Sequence, residues 1–482
     1  MEKENKELEK TEANYEDFNQ SENLSEDNGE NPSQNTNENL DDLWLDEDDD
    51  EEVRLPPEMP KKLPKLIELL VSQTPDIYKP AVAHAVFPSL AAHLYKTSFM
   101  YIDGVEHEAT LMNVLMAPTG AGKSCVNAPI SHIMADIRKR DDESMQREKE
   151  WKQVMNTMGT HKYKPKRPDN IIIQEVQPDM TSAAFIQRMY EAKGRFLYSL
   201  MNEIDCFDAL DGYGRGSQKG LKWQIICLSF DPGNRYGHTR VMPGAVNERV
   251  HIMYNWNAST TIQKGRQYFK KVVTDGPISR INFCTIPEQE IGADMPMYGE
   301  YDQAFDDKLR PYINRLTKVR GLIDCPEATR LAEELLKECQ MESVCRWDRI
   351  YENLSFRALV IAYLKACVLY VANGCKWEPE IDEFIRWSLH YDLWCKMEFF
   401  WDLIDDEVNG RNTRIGSRGP KNLLQELPNS FTWADAERLR EQHGLKICGT
   451  REMLKSWMKR GHLEYDSVSV NTTFQKAWEI QH

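Results

Sequence analysis

Apolar residues are scarce over positions 1–53 and then recur with helical and strand-like spacing along the rest of the 482-residue chain. The first 53 residues are rich in Glu, Asp, Asn and Ser, so they cannot bury enough surface to offset the entropy of ordering, and a disordered tail is expected. Within it, Leu40, Leu43, Trp44 and Leu45 are set in acid. They read either as a docking peptide or as chance apolars in a solubilising tail, and the second reading is preferred. Pro56, Pro57 and Pro60 mark the entry to the folded region. Residues 54–96 fit a helical lead-in of two or three helices, broken at Pro75, Pro80 and Pro88. The run 108–116 predicts a buried strand. From Ala128 to Met158 the pattern is helical but heavily charged, which predicts a long exposed helix within a charged insertion over 128–168. Strand-like runs recur at Asn170–Glu175, Arg195–Met201, Trp223–Phe230 and Arg249–Tyr254. Together they predict an α/β core over 97–324. Long helical periodicity over 325–405 predicts a helical subdomain, 406–422 a Gly-rich basic linker, and 423–482 a small final domain.

The strand at 108–116 leads into Ala117-Pro-Thr-Gly-Ala-Gly-Lys-Ser124. This is the P-loop spacing, with alanine where glycine is commoner first, and a helical pattern follows as the motif requires. Gly120 and Gly122 let the backbone curl so that amides converge on phosphate oxygens. Pro118, Thr119, Gly120, Ala121, Gly122, Lys123 and Ser124 would enclose the phosphates of ATP. Lys123 would reach the β- and γ-phosphates and Ser124 would ligate Mg2+. The following helix would point its positive end at the anion.

Such a site needs a polar, acidic strand end nearby. Phe196–Met201 is almost wholly apolar and runs into Asn202-Glu203. Asn202 takes the place of the usual metal-holding Asp, Glu203 is the candidate base for the attacking water, and Asp205 is the fallback carboxylate. His251–Ser259 contains Asn257, the candidate γ-phosphate contact, with Asn255 as alternate or either as a turn residue. Arg280, after Gly276-Pro277, could act as an arginine finger or make a surface ion pair.

In this order and spacing the four elements resemble a bacterial and phage family of P-loop proteins, catalogued as a domain of unknown function, carried on mobile elements and often found beside primase domains. The likeness runs from about Pro80 to Phe400. The family looks like a relative of superfamily 3 and AAA+ ring helicases. Its Gly-x-x-x-Arg pattern matches Gly276–Arg280, and its Arg-Ala-x-x-x-Ala helix matches Arg357–Ala362. The resemblance implies a P-loop NTPase core of RecA/AAA+ type, a homo-oligomeric ring, a primase or other replication partner, Arg280 acting across a subunit interface, and Arg357 as a second phosphate sensor. Asn202, Ala117 and the charged insertion depart from the family pattern.

Residues 423–482 read as three helices and a hairpin (His462–Tyr465 with Val468–Asn471), the plan of a winged helix. Thr432 and Thr450 cap its second and third helices. Arg451, Lys455 and Lys459 recur every four residues on the third, a face suited to DNA or simply a solvated one. In the core, Arg215, Lys219 and Lys222 could track the backbone of single-stranded DNA, or belong to an ordinary surface loop.

Charge and cysteine usage refine this picture. The formal net charge is −17, but residues 1–53 contribute −18, so the remaining 429 residues sum to +1 and the acidic balance does not exclude DNA binding. Eleven cysteines without a C-x-x-C pair argue against a zinc finger and for reduced thiols. The acidic start lacks a secretory pattern, and the longest apolar run, Ala358–Ala372, contains Lys365 and is short for a bilayer. A cytoplasmic protein with no membrane segment is expected. Three readings remain: a helicase-like ATPase on DNA, an ATP-driven assembly switch that displaces no strand, and a DNA-binding regulator with a vestigial nucleotide site.

Overall fold

The computed structural model describes residues 55–158, 165–212, 220–237, 246–274, 276–346, 348–413, 423–442, 449–459, 463–464 and 473–476. The N-terminal tail, with Leu40–Leu45, lies outside them. Helix α1 (Lys65–Val71) and a 3-10 turn (Asp76–Tyr78) lead into α2 (Lys79–Ala91). Pro80 sits in the first turn of α2, where a missing N–H costs nothing, and Pro88 sits in the last turn. Neither breaks the helix. Ala81–Ala91 are buried all round, so α2 is a core helix.

Strands β1 (Thr97–Met100) and β2 (Glu106–His107) precede β3 (Met112–Ala117), every residue of which is buried. Helix α3 (Asn127–Thr157) follows, then α4 (Ser182–Glu191), β4 (Leu197–Met201), α5 (Leu221–Phe230), β5 (Tyr254–Thr261), α6 (Ile262–Phe269), α7 (Pro277–Arg280) and β6 (Asn282–Cys284). The central sheet has the order β4-β5-β3-β6 and is wholly parallel, as expected for an α/β core buried on both faces. The run Asn170–Glu175 only skirts its edge, joining β4 through the Glu175–Tyr198 bridge. Helix α8 (Gln303–Lys318) and β7 (Gly321–Ile323) follow, and β7 completes a small sheet of order β2-β1-β7.

Two sequence expectations are corrected here. Trp223–Phe230 is helical, lying in α5. A short apolar run buried on several sides has no periodicity to separate strand from helix. Helix α3 is not exposed along its length: Ile130, Ile133, Met134, Ile137, Asp141, Ser144 and Glu148 form one buried stripe. Its charges are structural. Glu148 accepts from Arg188 at 2.8 Å and from Arg167, and both arginines also reach Glu191 on α4. Those hydrogen bonds outweigh burial and hold the Glu148 carboxyl down at about 2.

Helices α9 (Pro326–Arg346), α10 (Arg349–Ala372) and α11 (Glu380–Thr413) form the predicted helical block, but their apolar faces belong to the same hydrophobic core as the sheet. Helix α11 runs into the expected linker as far as Thr413. Helix α10 is long and apolar enough by composition to cross a bilayer, yet 83% of that window is buried in the fold. The C-terminal part has its own cluster, centred on Leu424, Phe431, Leu454 and Phe474. It comprises α12 (Leu423–Glu426), β8 (Ser430–Thr432), α13 (Trp433–Gln442), α14 (Thr450–Lys459) and β9 (Thr473–Gln475). Thr432 caps α13 reciprocally with Asp435. Phe431 lies in β8, not in the helix, and stacks on Phe474 at 5.5 Å. The β pairing joins β8 to β9, with Leu463 bridging Lys476. Of the expected 462–471 hairpin, only residues 463 and 464 are described.

Candidate functional site

Ala117 ends β3 opposite Thr261 of β5, and its φ is not positive, so the first loop position is strand and has no need of glycine. Gly120 and Gly122 do need it, with φ of 81° and 78°. Lys123 donates from Nζ to the Pro118 carbonyl at 3.0 Å, folding its ammonium over the loop. Residues Lys123–Val126 form a 3-10 turn that runs directly into α3. Burial keeps the neighbouring Cys125 protonated, its thiol pushed up to about 12.

A cavity of ≈ 310 Å³ opens beside this turn. Lys123 and Ser124 line it from the loop, Asn127 from the start of α3, Asn202 from the end of β4, Asn257 and Ser259 from β5, and Asn113 from β3. The sheet order explains the convergence. β5 lies between β3 and β4, so the C-terminal ends of three parallel strands meet at a crossover, where open α/β sheets bind ligands. Ser259 Oγ donates to the Asn202 carbonyl at 2.7 Å, fixing the end of β4 to β5.

Asn255 and Asn257 separate cleanly. Asn255 is fully engaged, accepting from Leu111 N and donating to the Pro88 and Ala109 carbonyls. Asn257 lines the cavity, donates to Tyr198 Oη at 3.0 Å and keeps its buried Oδ1 without a partner among the described residues. Opposite it in register, Asn113 leaves Nδ2 unpartnered while Oδ1 accepts from Asn282 Nδ2 at 2.6 Å. Asn282 Oδ1 in turn accepts from the buried Lys365 at 2.7 Å. A row of amides therefore crosses the sheet from the cavity to α10. Sequence reasoning missed Asn113. The signal was a lone amide inside an otherwise apolar strand.

Glu203 is next to Asn202 but does not line the cavity. It accepts from Lys264 of α6 at 3.1 Å, and Asp205 meets the same ammonium at 3.0 Å. These bonds, that to Asp205 first, raise the Lys264 pKa. Arg280 stands elsewhere. It is buried, pairs with both oxygens of Asp231 and donates to the Gly276 carbonyl at 3.1 Å, so it presents no free guanidinium. Arg357 donates to Ser279 Oγ at 3.3 Å, and burial followed by the nearby Arg280 charge lowers its pKa.

The basic positions fare unevenly. Lys222 is not a surface contact. It is buried between Asp208 and Asp211 and lies over the rings of Trp223 and Tyr268 at 4.8 and 4.6 Å. Its helix turned an expected loop into core, and the lysine went with it. Arg215 and Lys219 lie outside the described residues. On α14, Arg451 is half-buried and Lys455 donates to the Cys345 and Arg346 carbonyls at the end of α9. The Lys459 side chain lies outside what the structure describes.

The donors present fit a nucleotide carrying its own Mg2+. Ser124 and Asn202 line the cavity and carry neutral side-chain oxygens. Among the described residues no cluster of three metal-ligating side chains would hold an ion unaided. The chain matches no known family model and no curated protein sequence.

Proposed function

We propose that this chain is a P-loop NTPase of RecA/AAA+ type that binds ATP with Mg2+ at 117–124, hydrolyses it and acts on DNA as a helicase-like replication ATPase. The observation that carries the reading is the single cavity uniting Lys123 and Ser124 with Asn202 and Asn257 from two other strands. Lys123 would leave the Pro118 carbonyl for the phosphates, while the curled backbone at Gly120 and Gly122 offers its amides. Ser124 and Asn202 would hold the ion, which neutralises charge on the phosphates when bound. Asn257 would orient the terminal phosphate. Glu203 would take a proton from the attacking water once freed from Lys264.

The second reading, an ATP-driven switch that assembles on DNA without unwinding, is favoured by two contacts. Glu203 is engaged by Lys264, and Arg280 by Asp231. Each would have to be released before hydrolysis, in keeping with turnover that waits on a partner, DNA or a second copy completing a ring. The C-terminal unit is read as a winged helix that engages DNA through α14.

The test is ATP hydrolysis by the full chain with and without single-stranded DNA, beside Lys123→Ala and Glu203→Gln. DNA-stimulated turnover that falls at least ~100-fold in both variants supports the ATPase and the two assignments. Binding with negligible turnover in the presence of DNA supports the switch, and strand displacement would exclude it. Wild-type turnover in Lys123→Ala would refute the site.

A further inference from the structure

The phosphate-binding turn leans on an aromatic side chain. A Cβ on Gly122 would come within 2.6 Å of Tyr78 Oη, so the Tyr78 phenol lies directly against the loop. Tyr78 is 7% exposed. A second ring lies one step further out: Tyr298 stacks on Tyr78 with centroids 5.8 Å apart and planes 16° from parallel. Tyr298 remains 48% exposed, and Met295 and Met297 of the same segment are more exposed still, at 82% and 79%. The segment is fixed in place. Gly299 N donates to the Gln73 carbonyl at 2.9 Å, and Tyr301 Oη meets Thr74 Oγ1 at 3.0 Å and donates to the Leu70 carbonyl. An aromatic face is thus held rigidly, open to solvent, beside a phosphate loop.

We propose that Tyr298, backed by Tyr78, is the stacking platform for the base of the nucleoside triphosphate bound at 117–124. The inference rests on the nucleotide-binding reading of that loop. A base must lie a nucleoside's length from the phosphates, and the stacked pair begins in contact with the loop and extends away from it. Stacking uses the π-face common to all bases and does not read their edges, so adenine and guanine are accepted alike. The methionines add polarisable apolar surface of the sort that adapts to a flat ligand.

The experiment is titration calorimetry of the full chain with ATP, GTP and inorganic tripolyphosphate, using wild type, Tyr298→Ala, Tyr298→Trp and Lys123→Ala. Tyr298→Ala is expected to weaken ATP and GTP about tenfold while leaving tripolyphosphate unchanged, since stacking on one aromatic residue accounts for about that much. Tyr298→Trp should restore both, with its indole fluorescence changing on ATP but not on tripolyphosphate. If Tyr298→Ala leaves ATP binding intact while Lys123→Ala weakens ATP and tripolyphosphate, the platform is wrong and the phosphate site stands. Equal losses of ATP and tripolyphosphate in Tyr298→Ala would make Tyr298 a support for the loop and overturn the base contact. Binding of every ligand unchanged in Lys123→Ala would overturn the phosphate site and the platform together.

Discussion

Lys365 is a lysine with almost no contact with water, hydrogen-bonded to Asn282 and Ser388 and facing His84 at 3.2 Å. Burial pulls its pKa down to about 7, with the Asp392 carboxylate opposing the shift. The adjacent His84 is likewise held well below its ordinary value by burial and then by Lys365, so it stays neutral. Lys396, paired with Asp392 at 2.7 Å, is also lowered by burial, and the groups around Lys365 are thus the Asp392 carboxylate, the Lys396 cation, the Cys284 thiol and a neutral imidazole. The sign follows from linkage. Below about pH 7 Lys365 is protonated in both the folded and unfolded chain. From there up to its ordinary value of 10.5 the unfolded chain holds the extra proton, so stability rises with pH across that window. Lys365→Met removes this dependence. The unfolding free energy of wild type minus variant should therefore increase, by a few kcal/mol in all, as denaturant titrations move from pH 7 towards pH 10. Parallel pH profiles for the two proteins would show that Lys365 titrates normally.

The same scale shows how much of the site could be read from the chain. Lys123, Ser124 and Asn202 are legible in local spacing, because each sits at a strand end or in a turn whose type is written in neighbouring residues, whereas Asn257, read as a strand end, lies inside β5. Asn113 and Tyr298 are not legible in this way. Asn113 is defined by what lies across the sheet, and Tyr298 matters through a stack with a residue 220 positions earlier, a relation no local window contains.

At the scale of elements, α3 best illustrates the limits of periodicity. Its charged stretch looked like a solvated helix, since Glu148 and Asp141 count as polar in any pattern. In the structure both lie on the buried stripe. Asp141 accepts the amides of Gln174 and Glu175, and burial raises its carboxyl to about 6 against those bonds. Glu148 ties the helix to Arg167 and Arg188. Removing that carboxylate leaves two half-buried guanidinium groups to share Glu191 alone. Glu148→Gln should therefore cost about 2–3 kcal/mol at pH 7. The Glu148 contribution is present above its ordinary pKa of 4.5 and is lost as pH falls towards 2, so the gap between the two proteins should narrow in acid. Chemical denaturation at pH 7 and pH 3.5 checks both, and a constant gap would mean that the loss is one of packing. Helix α5 errs in the opposite direction, its apolar residues too evenly spread to reveal a period, and the misreading carried Lys222 with it. The parallel strands β3 and β4 were legible because they are short, apolar and followed by distinctive turns.

For the whole molecule the decisive feature is that two hydrophobic clusters share no residue. The larger spans the sheet and α1–α11, so the helical block expected as a separate subdomain is part of the core that supports the cavity. The smaller joins α12, β8, α13, α14, Leu463 and β9 and meets α9 through Lys455. That contact uses one of the three basic positions proposed to meet DNA, and it places a cation at a helix C-terminus, where the helix dipole favours one. DNA binding through α14, if the proposal holds, would therefore have to compete with α9 for Lys455. A chain ending at residue 422 should keep the main unfolding transition within a few degrees and keep ATP affinity, because neither the core nor the cavity loses a residue. It should lose most duplex DNA affinity and the salt dependence that phosphate contacts impart. Calorimetry and DNA titrations at two salt concentrations measure both effects. Unchanged DNA binding in the shortened chain would move the DNA contact to the core, and a lowered core transition would show that Lys455 and α9 hold the two clusters together as one cooperative unit.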